Sequence, residues 1–377
     1  MGKVALHKLY AHGRHAFKKK DLNAFTLFYK CAKEGNIEAQ FNLGLMYETG
    51  KGVKRDYLEA VKWFHRAAEQ GHILAQCMLG SMYAESLGVE QDYLEARRWY
   101  YKAAKQGFAT AEYILGFMHE KGHGVHKDCK KAVKWYHRAA KHGDVGSQRH
   151  LGTMYYEGYG VRQNYAEAVK WYRKAAEQND IESQHNLGVM YAKGCGVVQD
   201  YTKAVMWYRK AAKRGFIAAQ CNLGFMYEKG LGVKQNYTEA VKWYYKGAEQ
   251  GDAKAQFHLG MMYEKGYGVK KNYAKMLNYY FQAANQGILA AYFKLGVMYI
   301  KGQGVEQNGM KAVEWFQKAA EQGLSVAQFN LGLIYEQGLG IAQDVTEAAK
   351  WYREAAKQGD TEAKARLDAM RGTKKKD

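Results

Sequence analysis

The feature that most constrains this chain is a 36-residue period that runs through nearly all of its 377 residues. The pair Leu-Gly recurs every 36 residues without insertion or deletion, first at Leu43-Gly44 and nine times in all. All eight tryptophans share a second column, from Trp63 to Trp351, in which Tyr279 takes the one remaining place. A fixed period of this length is typical of repeat proteins, in which each unit packs only on its neighbours.

One unit, residues 35–70, predicts two helices joined by a glycine-containing loop. Apolar residues such as Leu43 and Tyr47 recur three and four positions apart, which indicates a first helix with one apolar face. Asp56 precedes a second apolar pattern, and its column holds Asp or Asn in all nine units, as expected of a helix N-cap. Such a helix pair cannot bury its own apolar face, so it must stack on its neighbours.

Two glycine columns have distinct predicted roles. Gly44 lies inside the first helix, where glycine costs about 1 kcal/mol relative to alanine. Its recurrence in every unit therefore implies a close helix crossing that a side chain would block. Gly71 follows the second helix and is expected to adopt a left-handed conformation, and Asn179 replaces glycine once in that column.

The stretch Ala39 to Gly71 and its eight successors resemble Sel-one-like repeats (SLRs), relatives of the tetratricopeptide repeat with a longer inter-helix loop. The resemblance implies an all-α fold, a right-handed α/α solenoid of about ten 36-residue helix-turn-helix repeats. It also implies an adaptor role in protein complexes. The family carries no catalytic residues to transfer, so we expect a protein without enzymatic activity and without a cofactor.

The ends of the chain depart from the pattern and predict caps, because a finite solenoid needs a polar outer face at each end. Residues 1–35 are expected to form an N-terminal helix pair with a tetratricopeptide-like turn. We expect nine tandem SLR units over residues 36–359 and a C-terminal capping helix over residues 360–371. A basic disordered tail is expected over residues 372–377.

Composition excludes several classes of protein. A hydrophobic fraction of 47% excludes intrinsic disorder, and no apolar run approaches the ~18 residues of a membrane span. The five cysteines are scattered and odd in number, which is typical of reduced thiols. The start of the chain has no apolar core of signal-peptide length, so we expect a cytoplasmic protein. Export by a route without such a signal is also compatible with the sequence. The sequence does not indicate whether the protein forms oligomers.

The variable positions of the first helix predict where a protein partner binds. Five columns align with the inner surface of tetratricopeptide superhelices, and we call them the first-helix face; in the first unit they are Glu38, Phe41, Leu45, Glu48 and Thr49. The Phe41 column ends in three phenylalanines that resemble anchors for a bound segment. The alternative is that this column only packs on the neighbouring helix. The predicted partner-binding residues are Phe257, Phe293, Phe329, Met261, Leu333, Asn222, His258, Arg149 and His185.

The formal net charge of +20 suggests a second function, binding of nucleic acid or another acidic partner. Basic residues of the second helix would align into two ladders, which are Lys62, Arg98, Lys134, Lys170, Lys242 and Lys350, and, four residues on, Arg66, Lys102, Arg138, Lys174, Lys210, Lys246 and Lys318. The competing interpretation is a solvated face on which lysine stems cover the aromatic rings beneath. We favour that interpretation because the interleaved aromatics follow the core period, and nucleic acid is therefore not the expected partner.

A metal-binding function is the remaining alternative. The third unit brings four imidazole or thiol groups into eleven residues: His119, His123, His126 and Cys129. Such groups are zinc ligands. Their spacing matches no established finger, however, and the same loop positions vary freely in the other units. We therefore expect no metal at this loop.

Overall fold

In a computed structural model the described residues are 23–373, with the side chains of residues 24–370. The predicted N-terminal helix pair lies mostly outside these residues, as does the end of the basic tail. The described part of the chain consists of helices and loops, without a strand. This is the all-α fold of repeated helix pairs that the 36-residue period predicts.

Between residues 23 and 373, twenty helices follow one another with nearly constant length. They are α1 (Asn23–Lys33), α2 (Ile37–Thr49), α3 (Tyr57–Glu69), α4 (Ile73–Glu85), α5 (Tyr93–Lys105), α6 (Ala109–Lys121), α7 (Cys129–Lys141), α8 (Val145–Glu157), α9 (Tyr165–Glu177), α10 (Ile181–Lys193), α11 (Tyr201–Lys213), α12 (Ile217–Lys229), α13 (Tyr237–Glu249), α14 (Ala253–Lys265), α15 (Tyr273–Asn285), α16 (Leu289–Lys301), α17 (Gly309–Ala320), α18 (Ser325–Gln337), α19 (Val345–Lys357) and α20 (Thr361–Thr373). The nine complete repeats are the pairs α2–α3 to α18–α19.

The predicted N-cap residues are present at the start of the second helices. The Asp56 carboxylate accepts a hydrogen bond from the backbone N–H of Glu59, and the Asp or Asn of each of the other eight units caps its helix in the same way. Gly71 follows α3 with φ of +91°, and Asn179 takes its place after α9 with φ of +67°. These contacts satisfy backbone groups that the helix ends would otherwise leave unpaired.

The glycine inside each first helix lies against an aromatic ring of the second helix. A Cβ added at Gly188 would lie 2.7 Å from ring carbons of Tyr208, which is closer than van der Waals contact allows. Tyr208 itself is buried. The predicted close crossing is therefore confirmed, and its cause is an aromatic side chain that packs directly on the first-helix backbone.

The loop between the two helices of the third repeat holds two glycines, and the second has a role that the sequence did not indicate. Gly124, with φ of +62°, lies over the start of the second helix of the preceding repeat, where an added Cβ would be 2.6 Å from the carbonyl oxygen of Tyr93. Glutamines make further contacts in the first repeat: Gln40 donates to the carbonyl of Ala32 in α1, and Gln70 donates to the Gln40 amide oxygen at 2.7 Å within the repeat. At Gly124 and Gln40, backbone atoms of an earlier helix thus add contacts to those of the apolar core.

The chain divides into two compact units within α10. The first contains the described residues up to Leu187 together with Gly194–Val198, and the second contains Gly188–Lys193 and the residues from Gln199 onward. Within each unit, helices pack on the helices next to them in sequence. The core of each is built from buried alanine, leucine, methionine and aromatic side chains, so each unit is a continuous stack of helix pairs.

Candidate partner-binding face

The three predicted anchor rings are half-buried, with one side on the core of the second unit. Each packs against the aromatic ring of the second helix in its own repeat. Centroid distances are 5.6 Å for Phe257–Tyr280, 5.6 Å for Phe293–Phe316 and 5.7 Å for Phe329–Tyr352. The packing that the sequence offered as an alternative therefore accounts for one side of each ring, and each ring is still partly exposed.

Met261 and Leu333 lie one helical turn beyond two of these rings and are also half-buried. Met261 packs on the same core cluster as Phe257, and Leu333 on the same cluster as Phe329. The C-terminal part of the first-helix face is thus apolar and partly exposed at regular intervals.

The predicted polar residues differ in their surroundings. Arg149 binds two carboxylates of the next repeat: its guanidinium lies 2.9 Å from Oδ2 of Asp180 and 3.2 Å from Oε2 of Glu182. His185 Nδ1 lies 3.2 Å from the amide oxygen of Asn186, and burial lowers the pKa of this imidazole. Asn222 is half-buried. Arg149 and His185 belong to the first unit and the other seven predicted residues to the second.

His258 belongs to a contact that recurs along the face and that sequence reasoning missed. Its Nδ1 lies 3.3 Å from Oε2 of Glu228, and its ring stacks on Tyr244 with centroids 4.8 Å apart. The hydroxyl of Tyr244 donates to the same carboxylate oxygen at 2.8 Å. We call this arrangement the Glu–Tyr–base link, since a glutamate is bound by a tyrosine sixteen residues later and by a basic residue thirty residues later.

The link occurs four times among the described residues. Its members are Glu120–Tyr136–His150, Glu228–Tyr244–His258, Glu264–Tyr280–Lys294 and Glu336–Tyr352–Arg366. In each, the glutamate is the last residue but one of a first helix, the tyrosine lies on the second helix of the same repeat, and the base lies on the helix that follows. The sequence signal was available, because each of these glutamates has a base thirty residues later.

The links of Glu120 and Glu228 stabilise ionised carboxylates. Burial alone would raise the pKa of Glu228, but its contacts with His258, Lys229 and Tyr244 outweigh burial and lower the pKa to about 2. Contact with His150, aided by Lys121 and Tyr136, lowers the pKa of Glu120 to about 2 as well. A carboxylate that stays charged near neutral pH fixes the base of the next repeat in place.

A cavity of about 600 Å³ opens on the first-helix face of the first unit. Its lining residues are Glu120, Lys121, Lys127, Cys129, Arg149, His150, Thr153, Met154, Tyr159 and Glu182. Five of these ten belong to the five columns of the first-helix face. Sequence reasoning named Arg149 as a partner contact but did not anticipate a cavity beside it.

The four residues of the third-repeat loop are not gathered around one point. His123 stacks on Tyr93 with centroids 5.1 Å apart, and His126 Nδ1 lies 3.0 Å from the backbone oxygen of Lys127. Cys129 lines the cavity of the first-helix face, whereas His119 and His126 line a different one. Among the described residues, no three His, Cys, Asp or Glu side chains are arranged to hold a metal ion.

The two basic ladders make intramolecular contacts. All seven members of the second ladder lie over the tryptophan three residues earlier, at distances from 3.8 Å for Lys102 over Trp99 to 4.7 Å for Arg138 over Trp135. In the first ladder, five members pair with the glutamate three residues earlier. Cations over aromatic rings are attracted by the ring quadrupole, so these charges already have partners within the fold.

Comparisons with known proteins agree with this architecture. The family model of the Sel1 repeat matches nine consecutive segments that together span residues 37–360. A protective antigen present in uropathogenic Escherichia coli strains, which displays an SLR fold, is 39% identical with a TM-score of 0.92, and the match covers 96% of this chain and 79% of that one. A Sel1 repeat protein from Oxalobacter formigenes is 33% identical with a TM-score of 0.66, covering 82% and 89%.

A search of curated proteins finds no relative. None of the described helices has the length and apolar character to cross a membrane. The nine matched segments follow one another without a gap and coincide with the nine helix pairs. The chain therefore belongs to the Sel1 repeat family.

Proposed function

We propose that this chain is a non-enzymatic scaffold that binds a partner polypeptide along its first-helix face. Sel1 and related repeats generally mediate protein–protein interactions and generally lack catalytic activity. The observation that carries the proposal is the series Phe257, Phe293 and Phe329, in which an aromatic ring with one side on the core recurs at successive repeats. Aromatic anchors of this kind dominate the energetics of many interfaces.

The polar residues of the same face support this role. The Phe41 column holds Arg149 and His185 in two middle repeats and phenylalanine in the last three, so the face changes in chemistry along the chain while the core columns stay nearly constant. A surface that varies on a constant framework suits recognition of a particular partner. The basic ladders favour this scaffold role over nucleic-acid binding, because most of their charges lie over tryptophan rings or pair with glutamates.

The test is a pull-down with the immobilised full chain from a lysate of the source organism. It compares the unchanged protein with two variants, one carrying Phe257→Ala, Phe293→Ala and Phe329→Ala, the other carrying Lys170→Glu and Lys174→Glu. Melting curves first establish that each variant folds. We expect a protein that the unchanged chain and the charge-reversal variant retain and that the triple variant loses. Loss of binding only on charge reversal would overturn the proposal in favour of an acidic partner on the ladders.

A further inference from the structure

The glutamate column of the Glu–Tyr–base link has a fifth member that lacks its link. Glu48 is the last residue but one of the first helix of the first repeat, as the other four glutamates are in theirs. Sixteen residues later, Phe64 offers no hydroxyl, and thirty residues later, Met78 offers no charge. Within the described part of the chain, the carboxylate of Glu48 has neither a hydrogen bond nor an ion pair.

The surroundings of Glu48 make its negative charge costly. Burial raises the pKa of this carboxyl, and the negative charge of Glu85 raises it further. Glu85 belongs to the first-helix face of the second repeat and accepts a hydrogen bond from Ser81, a neutral group, at 3.0 Å. No basic side chain of the described residues compensates Glu48, so its charge does not contribute to folding as that of Glu228 does.

The same face is acidic over the first two repeats, although the whole chain has a net charge of +20. Its five columns there contain Glu38, Glu48 and Glu85 but neither lysine nor arginine. Half-buried apolar side chains lie on the same face, among them Phe41 and Leu45, which pack on one core cluster. Both features favour binding of a lysine or arginine side chain, since its stem is apolar and its head is positively charged.

We propose that this acidic face binds a basic segment of the partner polypeptide, with a lysine or arginine head at Glu48. The partner thereby supplies the base that the next repeat supplies at the four complete links. Those links show within this chain that a glutamate in this column binds a histidine, a lysine or an arginine. The proposal rests on the function proposed above and specifies the chemistry of one part of the partner.

The experiment uses a library of random twelve-residue peptides displayed on phage and selected on the full chain. We expect the selected peptides to include a group rich in lysine and arginine. One such peptide, made with a fluorescent label, is then titrated with the chain and its variants. Glu48→Gln should weaken its binding about tenfold or more, because a hydrogen-bonded charge pair is lost.

A matched pair of variants at the next repeat tests the mechanism itself. Met78→Lys places a base thirty residues after Glu48, as Lys294 stands after Glu264, and should weaken binding of the basic peptide about as much as Glu48→Gln. Met78→Leu keeps the apolar character and should leave binding unchanged. Melting curves of all variants show whether they fold, and binding of the selected peptide by Met78→Leu controls for changed packing.

Two results would overturn the inference. One is a selection that yields no basic peptides. The other is a basic peptide that binds Glu48→Gln and Met78→Lys as well as it binds the unchanged chain. If the selected peptides instead lose binding only in the variant with Phe257, Phe293 and Phe329 replaced by alanine, the inference fails while the proposed function stands.

Discussion

The hydroxyl of Tyr244 and the imidazole of His258 meet at one oxygen, Oε2 of Glu228, at 2.8 Å and 3.3 Å. The tyrosine belongs to the same repeat as the glutamate, and the histidine belongs to the next. A single buried carboxylate therefore joins the two helices of one repeat to the first helix of the following one. Removing its charge should affect the contact between repeats rather than one helix alone.

Glu228→Gln is expected to lower the free energy of unfolding at pH 7 by about 1–3 kcal/mol, because hydrogen bonds to a charged group are lost. The folded pKa of about 2 lies below the ordinary value of 4.5, so the stabilisation is present above pH 4.5 and is lost as the pH falls towards 2. Urea denaturation at several pH values should therefore show the difference from the unchanged chain shrinking with acidity. Glu239→Gln, at an exposed pair with Lys242, is the control and should change little.

Glu48→Gln is expected to leave the free energy of unfolding at neutral pH equal or higher, whereas Glu228→Gln lowers it. The folded pKa of Glu48 is raised, so its ionised form destabilises the fold above the ordinary pKa and this cost disappears as the carboxyl is protonated. The variant should unfold at an equal or higher urea concentration than the unchanged chain at pH 7, and the gain should vanish near pH 4. A clear loss of stability at pH 7 would show that Glu48 has a favourable partner.

Much of the fold could be predicted because its causes repeat. The Asp56 column, Gly44 and Gly71 each have one local physical role, and nine copies make each role visible in the sequence. The role of Gly124 could not be predicted, because its constraint is the carbonyl of Tyr93 in the preceding repeat. Spacing along the chain does not reveal which backbone atoms approach one another between repeats.

Gly188→Leu is expected to destabilise the fold by about 1–3 kcal/mol, despite the better helix propensity of leucine. Its Cβ alone would lie 2.7 Å from the Tyr208 ring, which is buried and cannot move away freely. Gly146 offers a matched control, since a Cβ there would lie 3.4 Å from Tyr113, an ordinary contact. Gly146→Ala should be neutral or stabilising in thermal unfolding. Equal effects of the two changes would contradict the crossing argument.

Lys210→Ala is expected to cost about 0.5–1 kcal/mol of stability through the loss of its contact with Trp207, at 4.1 Å from the ring centroid. The exposure of the indole should also increase, which quenching of tryptophan fluorescence by acrylamide measures. Lys213→Ala removes an equal charge from the same helix, and Lys213 lies over no aromatic ring of the described residues, so this change should leave both quantities nearly unchanged. If the two variants behave alike, the ladder acts only through its net charge.

The candidate site was less predictable than the fold. The aromatic series at Phe257, Phe293 and Phe329 follows from column comparison alone, and the structure adds the ring beneath each one. The Glu–Tyr–base link needs residues sixteen and thirty positions apart to meet, which depends on how two helix pairs stack. Arg149 was identified from its column, but its contacts with Asp180 and Glu182 depend on the next repeat.

Phe293→Ala is expected to weaken binding of the partner by about 2 kcal/mol, the lower edge of hot-spot behaviour. The ring packs on Phe316 at 5.6 Å and contributes apolar burial, so the loss should be nearly equal at 0.1 M and 1 M salt. The Debye length shrinks from ~10 Å to ~3 Å over this range, and a contact held by the basic ladders would be lost. Fluorescence anisotropy with the purified partner measures the loss of affinity and its dependence on salt. The variant carrying Lys170→Glu and Lys174→Glu is the control. Binding that Phe293→Ala leaves intact, and that salt and charge reversal abolish, would assign the interaction to the ladders instead.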